Sequence, residues 1–376
     1  MKKANMTKGN MTNMTKENIF YDYDIHSNYE LIMPKKTYRG NGLTGLVNLG
    51  NKCFLNSILA CLSNTLKLTD YFLSSKFKED DPEYLNKRKP EYFVVLSYLN
   101  YIINAWEKNQ ILKPKSFVEN LSKFVKKYYT FEQQDSHECL MYILEILHKG
   151  LAYEIDIDIK GTVKTDIDLL MKQSLEHWKG FYENNYSYIV DIFHGMFYNK
   201  ITCNNCNIIE NVFEPYNCIS VNIPESGFVD LKSCLDNYFC CPEKINSWNC
   251  EKCKDIGCSK TINFWSLPNY IIIHLKRFTN SGTRINTQVN FPIDDLNLTE
   301  YISDDKKDPN NYIYSLYAVN YHSGNAKSGH YWSVCKNLNN KWYKYNDADI
   351  SEFYDINNIS SNESYILFYY RKFVKN

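Results

Sequence analysis

The chain has 376 residues and no net charge, because 43 Lys and Arg residues are balanced by 43 Asp and Glu residues. A neutral chain gives no electrostatic reason to expect binding to nucleic acid or to an anionic membrane surface. No apolar stretch approaches the ~18 residues that a membrane-spanning helix needs. We therefore expect no nucleic-acid partner, no membrane partner, and a folded chain that is long enough to bury a large core.

The cysteine content indicates a reducing environment. The sequence holds 13 cysteines, an odd number, and shows no N-terminal apolar run of the secretory type. Both observations favour an intracellular protein, cytoplasmic or nuclear. In such a compartment thiols serve in metal binding or catalysis rather than in disulfides.

The first part of the chain is polar and the next part is helical in pattern. Residues 1–38 repeat Asn-Met-Thr three times without an apolar period, which predicts a disordered tail. Beyond the tail, apolar residues recur at helical spacing and predict buried helix faces. Two such stripes are Val95, Leu99, Ile102, Ile103 and Trp106, and then Phe117, Leu121, Phe124 and Tyr128.

Local signals predict where these elements begin and end. Ser116 and Glu119 are expected to form a capping box, and a further helix is predicted from Asp135 to a stop at Gly150. Residues 154–159 alternate Ile with acidic residues and predict an exposed strand, and strand patterns such as 192–201 dominate afterwards. Helices followed by strands, with no linker between them, indicate an α+β fold in one domain over residues 39–376.

Cys53 lies where a glycine-containing turn becomes a helix. Leu55, Ile58 and Leu59 follow it at helical spacing, so the first turn of this helix presents free N–H groups beside the thiol. The positive end of a helix dipole favours a nucleophilic thiolate, and the same N–H groups can hold an oxyanion. Asn48 could add a side-chain donor. The alternative is that Cys53 is a small buried hydrophobic residue.

Four segments together resemble the ubiquitin-specific proteases, a family of papain-like deubiquitinating cysteine peptidases. Residues 45–57 are similar to the cysteine box of the family, residues 131–140 to its Gln-Gln-Asp box, and residues 321–332 and 342–347 to its histidine box. The resemblance implies a papain-like core in a thumb, palm and fingers arrangement, with a helical thumb, a β palm and zinc-bearing β fingers.

The resemblance also implies roles for single residues. Cys53 would be the nucleophile and His330 the general base, with Asn346 at the position that orients the base and Asp347 beside it as a second candidate. Asn48 would support the oxyanion. One departure is Lys52, which stands where the family usually has a small hydroxyl residue.

Three further positions are expected to bind substrate. On its own Asp135 is a plausible helix N-cap. The resemblance adds that Asp135 faces the ubiquitin tail and pairs with an arginine just before the terminal Gly-Gly. Gln134 and Tyr331, in the same boxes, complete the expected substrate-binding set. The segments 279–290 and 322–329 have the character of loops that gate the tail's channel.

Two Cys-x-x-Cys motifs indicate a metal site. Each motif alone is ambiguous, because such a pair can be redox-active, but two of them in a reducing compartment fit a tetrahedral four-thiolate zinc. The resemblance implies a structural zinc in the fingers, at approximately 195–270. Cys240, Cys241 and Cys258 remain alternative ligands. The expected ligands are Cys203, Cys206, Cys250 and Cys253.

The function implied by the resemblance is hydrolysis of the isopeptide or peptide bond after the C-terminal glycine of ubiquitin, through a thioester on Cys53. The expected partners are ubiquitin, ubiquitinated proteins and an activating protein, and no cofactor is expected for catalysis. Two alternatives stay open. The chain could act on a ubiquitin-like modifier, or it could be a ubiquitin-binding scaffold without catalysis.

Overall fold

The computed structural model describes residues 41–74, 89–224, 228–306, 312–325 and 328–372. The predicted tail at 1–38 lies outside these residues. Within them the first part of the chain is helical. These helices are α1 (Cys53–Ser63), α2 (Leu66–Leu73), α3 (Glu91–Glu107), α4 (Lys115–Ser122), α5 (Ser136–Leu151), α6 (Asp166–Tyr182) and α7 (Tyr188–Phe193). A short parallel pair, β1 (Gly45–Leu46) and β2 (Ile111–Leu112), lies beside them.

Helix α1 is the centre of the helical part, because all of its residues are buried. A helix that is buried all round must be covered on every side, and α1 packs between α5 and the sheet described next. The apolar side chains of α1, α3 and α5 belong to one core cluster. Cys53 at the start of α1 is therefore held by a rigid element.

The second half of the chain forms two larger sheets. The strands of the eight-stranded sheet are β5 (Ile219–Asn222), β9 (Tyr270–Lys276), β11 (Leu296–Asn297), β12 (Ile313–Gly324), β13 (Gly329–Lys336), β14 (Trp342–Asn346), β15 (Asp349–Glu352) and β16 (Ser364–Arg371). Their order is β15-β14-β13-β12-β16-β9-β5, with β11 on β12, and the only parallel pair of this sheet in the described residues is β5 with β9.

The strands of the four-stranded sheet are β3 (Gly195–Cys203), β4 (Ile209–Tyr216), β7 (Glu243–Asn249) and β8 (Ile256–Ser266). This sheet is antiparallel, with the order β4-β3-β8-β7. Between β4 and β7 the chain returns to the larger sheet through β5 and then forms α8 (Leu231–Phe239). A parallel pair, β6 (Phe228–Asp230) and β10 (Gln288–Asn290), lies next to α8.

The predicted α+β order is confirmed, and the cap at Asp135 is present. The Oδ1 atom of Asp135 accepts hydrogen bonds from the backbone N–H groups of His137, at 2.7 Å, and Glu138, at 3.0 Å. The stop at Gly150 is one residue early, because α5 ends at Leu151. A Cβ atom on Gly150 would lie 2.6 Å from Val95 Cγ2, so this glycine lets α3 and α5 approach closely.

One local prediction about the helical part is wrong, and the predicted buried stripes are confirmed for most of their residues. The capping box of Ser116 and Glu119 does not form, because Pro114 is the N-cap of α4 and its carbonyl already accepts from the N–H of Val118 at 3.0 Å. The exceptions are Ile103, which is 44% exposed because the buried stripe of α3 is narrower than the apolar pattern, and Phe124, which is 36% exposed because α4 already ends at Ser122.

Two strand predictions also differ from the structure. Residues 154–159 form no strand, because the only pairing in that region of the described chain is a single bridge between Tyr153 and Tyr186, and Ile157 instead packs in a small core with α6. In the run 192–201, Ile192 ends up in helix α7, and the strand β3 begins at Gly195. No helix in the described ranges is long and apolar enough to cross a membrane.

Candidate active site

Cys53 is the first residue of α1 and is 2% exposed. Gly50 and Asn51 turn the chain sharply before it, with φ angles of 85° and 51°. The carbonyl of Lys52 accepts the first helical hydrogen bonds, from the N–H groups of Leu55 at 3.0 Å and Asn56 at 2.9 Å. In the described chain the N–H groups of Cys53 and Phe54 donate to no backbone carbonyl, which leaves them beside the thiol.

His330 is the second residue of β13 and lies against Cys53. The Nε2 atom of His330 is 2.5 Å from Oδ1 of Asn346, at the end of the neighbouring strand β14. The interaction of the His330 ring with the Cys53 thiol, together with the hydrogen bond to Asn346, raises the pKa of His330 to about 9. Because Asn346 occupies Nε2, Nδ1 is the ring nitrogen that is left for Cys53.

Asp347 follows Asn346 but holds different groups. It has a φ of 52°, and its carboxylate accepts from Asn48 Nδ2 at 3.0 Å and from Asn56 Nδ2 at 2.8 Å. Asp347 thus ties the turn before Cys53 and helix α1 to the end of β14. Its negative charge contributes to the raised pKa of His330 without a hydrogen bond to the ring.

Asn48 is fixed at both ends of its amide. Its Oδ1 atom accepts from the backbone N–H of Lys52 at 2.8 Å, while Nδ2 donates to Asp347. An amide nitrogen carries two hydrogens, so one N–H of Asn48 is not used by Asp347. The side chain is exposed at this edge of the site.

The expected substrate-binding residues lie beside this site with different exposure. Asp135 is half-buried, and its Oδ2 atom accepts from the hydroxyl of Tyr365. Gln134 is half-buried and makes no side-chain hydrogen bond with the described residues. Tyr331 is 5% exposed, and burial raises the pKa of its hydroxyl above the usual value. Tyr331 can therefore offer only part of its ring to a ligand.

Two further contacts that the sequence did not predict connect this site. Gln133, the neighbour of the predicted Gln134, donates from Nε2 to the carbonyl of Gly329 at 2.5 Å and accepts from its N–H at 2.5 Å. The ammonium group of Lys52 donates to the carbonyl of Thr130 at 2.5 Å. No pattern in the sequence marks either contact, because each joins residues far apart in the chain.

The four predicted metal ligands come together at the ends of two hairpins. Cys203 ends β3 and Cys206 lies in the turn that follows, while Cys250 and Cys253 lie in the β7–β8 turn. The Sγ atoms of all four lie within 4.8 Å of one another. This cluster could hold a metal ion. Cys240, Cys241 and Cys258, the alternative ligands, are outside the cluster.

The two turns of the metal cluster have matching backbones. Asn207 and Lys254, at equivalent positions, have φ angles of 55° and 61°, and their N–H groups bond to the carbonyls of Cys203 and Cys250. Backbone N–H groups, first that of Cys206, lower the pKa of Cys203 to about 6, whereas the pKa of Cys206 is raised to about 11, because the lowering effect of the Ile208 N–H is outweighed by desolvation and the three neighbouring thiols. Four thiol groups on two such turns are the donor set of a tetrahedral zinc ion.

The architecture and the cysteine cluster together define the thumb, palm and fingers fold of papain-like cysteine proteases. The chain belongs to the ubiquitin carboxyl-terminal hydrolase family, whose family model matches residues 44–369. The predicted membership in the ubiquitin-specific proteases is thereby confirmed.

Curated relatives include ubiquitin carboxyl-terminal hydrolase 2 of Homo sapiens, 31% identical over 343 residues that cover 87% of this chain and 55% of the relative. Ubiquitin carboxyl-terminal hydrolase 21 of Homo sapiens is 30% identical over 93% of this chain and 64% of the relative. The Gallus gallus hydrolase 2 is 31% identical over 89% of this chain and 95% of the relative. The chain spans only 55% of the length of the hydrolase 2 sequences of Bos taurus and Homo sapiens.

Solved structures with this fold include a chain of the SAGA DUB module of Ubp8, Sgf11, Sus1 and Sgf73 bound to monoubiquitin. It matches with a TM-score of 0.70 and 21% identity over 90% of this chain and 71% of that chain. A chain of the yeast SAGA DUB module matches with a TM-score of 0.68 and 23% identity over 90% of this chain and 70% of that chain. At such identity the likeness shows the fold.

Proposed function

We propose that the chain is a deubiquitinase, a cysteine peptidase that hydrolyses the bond after the C-terminal glycine of ubiquitin. The observation that carries the proposal is the continuous line of side chains Cys53, His330 and Asn346 at the start of a buried helix. Family membership supplies the substrate class. The same arrangement argues against a scaffold without catalysis, which would need no base beside the thiol.

In the first step the Cys53 thiolate attacks the carbonyl carbon of the terminal glycine. The bond from that carbon to nitrogen breaks, a thioester forms on Cys53, and the leaving amine takes a proton from His330. A histidine with a pKa of about 9 carries that proton at neutral pH. Water then attacks the thioester with neutral His330 as base, and the ubiquitin carboxylate and the free thiol are released.

The negative charge on the attacked carbonyl oxygen would be held at the start of α1. The free N–H groups of the first helical turn and the remaining N–H of Asn48 provide donors there. Asn346 keeps the His330 ring oriented by its carbonyl oxygen, which works without a charge. Asp347 holds Asn48 in place, so the two neighbouring residues on β14 and its following turn have separate tasks.

The other parts of the proposal concern binding. Asp135 is proposed to pair with an arginine of the ubiquitin tail, with Gln134 and Tyr331 beside the tail. The four cysteines of the metal cluster are proposed to hold a structural zinc at the tip of the fingers, approximately 195–270, within one catalytic domain over 39–376. Ubiquitinated proteins and an activating protein are the proposed partners, in the cytoplasm or the nucleus.

The test uses ubiquitin with a C-terminal electrophile. Wild type should form a covalent adduct, the Cys53→Ala variant should form none, and Cys218→Ala should react like wild type because this half-buried thiol lies elsewhere. An adduct only with a ubiquitin-like protein would change the substrate and keep the chemistry. Absence of any adduct with a folded wild-type chain would contradict the proposed activity.

A second measurement separates Asn346 from Asp347. With a fluorogenic ubiquitin amide, Asn346→Ala should lower kcat by roughly 10²-fold and move the alkaline limb of the pH profile to lower pH, because His330 loses a partner that raises its pKa. Asp347→Ala should lower kcat with a smaller shift of that limb. The reverse pattern would make Asp347 the orienting residue.

A further inference from the structure

Lys52 directly precedes the nucleophile and is only 4% exposed. Burial lowers the pKa of its ammonium group, and no carboxylate of the described residues forms an ion pair with it. A buried lysine without an acidic partner is costly unless its hydrogens are used. Here the ammonium group donates to the carbonyl of Thr130 and lies 6.0 Å from the centre of the Phe54 ring.

Thr130 opens an irregular segment that leads to helix α5. In the described chain, no backbone group of residues 131–134 bonds to another backbone group. Side chains hold the segment instead. Lys52 binds the carbonyl of Thr130, and Asn51 donates from Nδ2 to the carbonyl of Phe131 at 2.7 Å. Both come from the turn that carries Cys53.

The same segment is hydrogen-bonded to β13, the strand that carries His330. The amide of Gln133 makes two hydrogen bonds with the backbone of Gly329, the residue before His330. Two parallel contacts fix orientation as well as distance, because neither group can rotate without breaking one of them. A short path therefore runs from the turn before Cys53, through residues 130–133, to the start of β13.

We propose that Lys52 is a positioning residue, which holds residues 130–133 so that Gln133 keeps His330 aligned with Cys53. Lys52 acts through the segment and not on the reacting atoms. The inference rests on the proposed function, since it concerns the alignment of the proposed catalytic pair. It also explains how the site accommodates a lysine at this position, because the charged end points toward Thr130.

The experiment is a double-mutant cycle with Lys52→Met and Gln133→Ala. Met keeps the apolar stem of the lysine but cannot donate. Lys52→Met alone should lower kcat for a fluorogenic ubiquitin amide about fivefold, as expected for a small displacement of a catalytic group. In the Gln133→Ala background, Lys52→Met should lower kcat by less than about twofold, because both substitutions interrupt the same series of contacts.

A second readout needs no ubiquitin. The rate at which iodoacetamide alkylates Cys53 at neutral pH, followed by mass spectrometry, reports the pairing of Cys53 with His330. This rate should fall in Lys52→Met and fall little further in the double variant. If wild type cleaves no ubiquitin substrate, the proposed function fails, and the alkylation rate still tests the positioning.

Two controls keep the result interpretable. Lys126→Met removes an exposed lysine in the turn before Thr130 and should change neither readout. Asn51→Gly removes the contact to Phe131 from an exposed position and tolerates the left-handed backbone there, so it should reproduce part of the loss in a chain that folds. The proposal would be overturned if the effects of Lys52→Met and Gln133→Ala on kcat multiplied fully in the double variant. It would also be overturned if Lys52→Met equalled wild type in both readouts.

Discussion

Asn320 on strand β12 joins the helical part of the molecule to the large sheet, and its substitution by Leu should be strongly destabilising. The side chain is fully buried. Nδ2 donates to Oγ of Ser57, one turn after Cys53, at 2.8 Å, and Oδ1 accepts from Oγ of Ser136, at the start of α5, at 2.8 Å. One amide thus links β12, α1 and α5.

The expected loss of stability follows from the hydrogen bonds that each partner of Asn320 keeps in the variant. Leu is close to Asn in length, so the cavity term is small. Ser57 Oγ still donates to the carbonyl of Phe54 at 3.1 Å, so it loses only an acceptor role. The hydroxyl of Ser136 loses its acceptor in a fully buried site, which costs about 1–3 kcal/mol, and the second lost bond adds about 1 kcal/mol. We expect a decrease of about 2–4 kcal/mol in the free energy of unfolding.

Urea denaturation of the wild type and the variant measures this difference. A triple variant with Ser57→Ala, Ser136→Ala and Asn320→Leu should recover part of the loss, because no buried polar group is then left without a partner. Asn100→Leu, at an exposed position of α3, should change the free energy by less than about 0.5 kcal/mol. A loss below about 1 kcal/mol, or no recovery in the triple variant, would refute this reasoning.

Three further predictions concern other parts of the molecule. Turnover should fall as pH rises through about 9, because His330 then loses the proton for the leaving amine; kcat/KM between neutral pH and pH 10 measures this, and a flat profile would contradict it. Cys203→Ser should abolish bound zinc in elemental analysis, whereas Cys240→Ser, outside the cluster, should retain it. Arg277→Met should lower the free energy of unfolding by about 3 kcal/mol or more in urea denaturation, because the buried guanidinium donates to four backbone carbonyls; a loss below about 1 kcal/mol would argue against this role.

Local signals in the sequence were sufficient to predict the elements that carry the site. The start of α1 at Cys53 and the cap at Asp135 depend on residues a few positions apart, and both are present in the structure. The capping box at Ser116 failed because the N-cap is Pro114, two residues earlier. The strand at 154–159 failed because alternation alone does not provide a partner strand.

Contacts between residues far apart in the chain could not be predicted from the sequence. Gln133 and Gly329 are 196 positions apart, and nothing in either segment distinguishes Gln133 from Gln134 as the residue that makes the contact. Local sequence also could not decide whether Asn346 or Asp347 contacts the ring of His330. That contact depends on the left-handed backbone of Asp347, which turns its carboxylate toward Asn48 and Asn56 and leaves Asn346 on the ring of His330.

The pairing of nucleophile and base depends on how α1 is attached to the sheet, since each element carries one member of the pair. Three attachments reach α1 or the turn before it by separate routes: the amide of Asn320, the carboxylate of Asp347, and the segment held by Lys52. The Asn320 contacts are fully buried and lie one turn below the thiol, whereas the other two adjoin the reacting groups. Loss of Asn320 should therefore lower stability more than it lowers the rate of the folded fraction, and loss of the Lys52 contact should do the reverse.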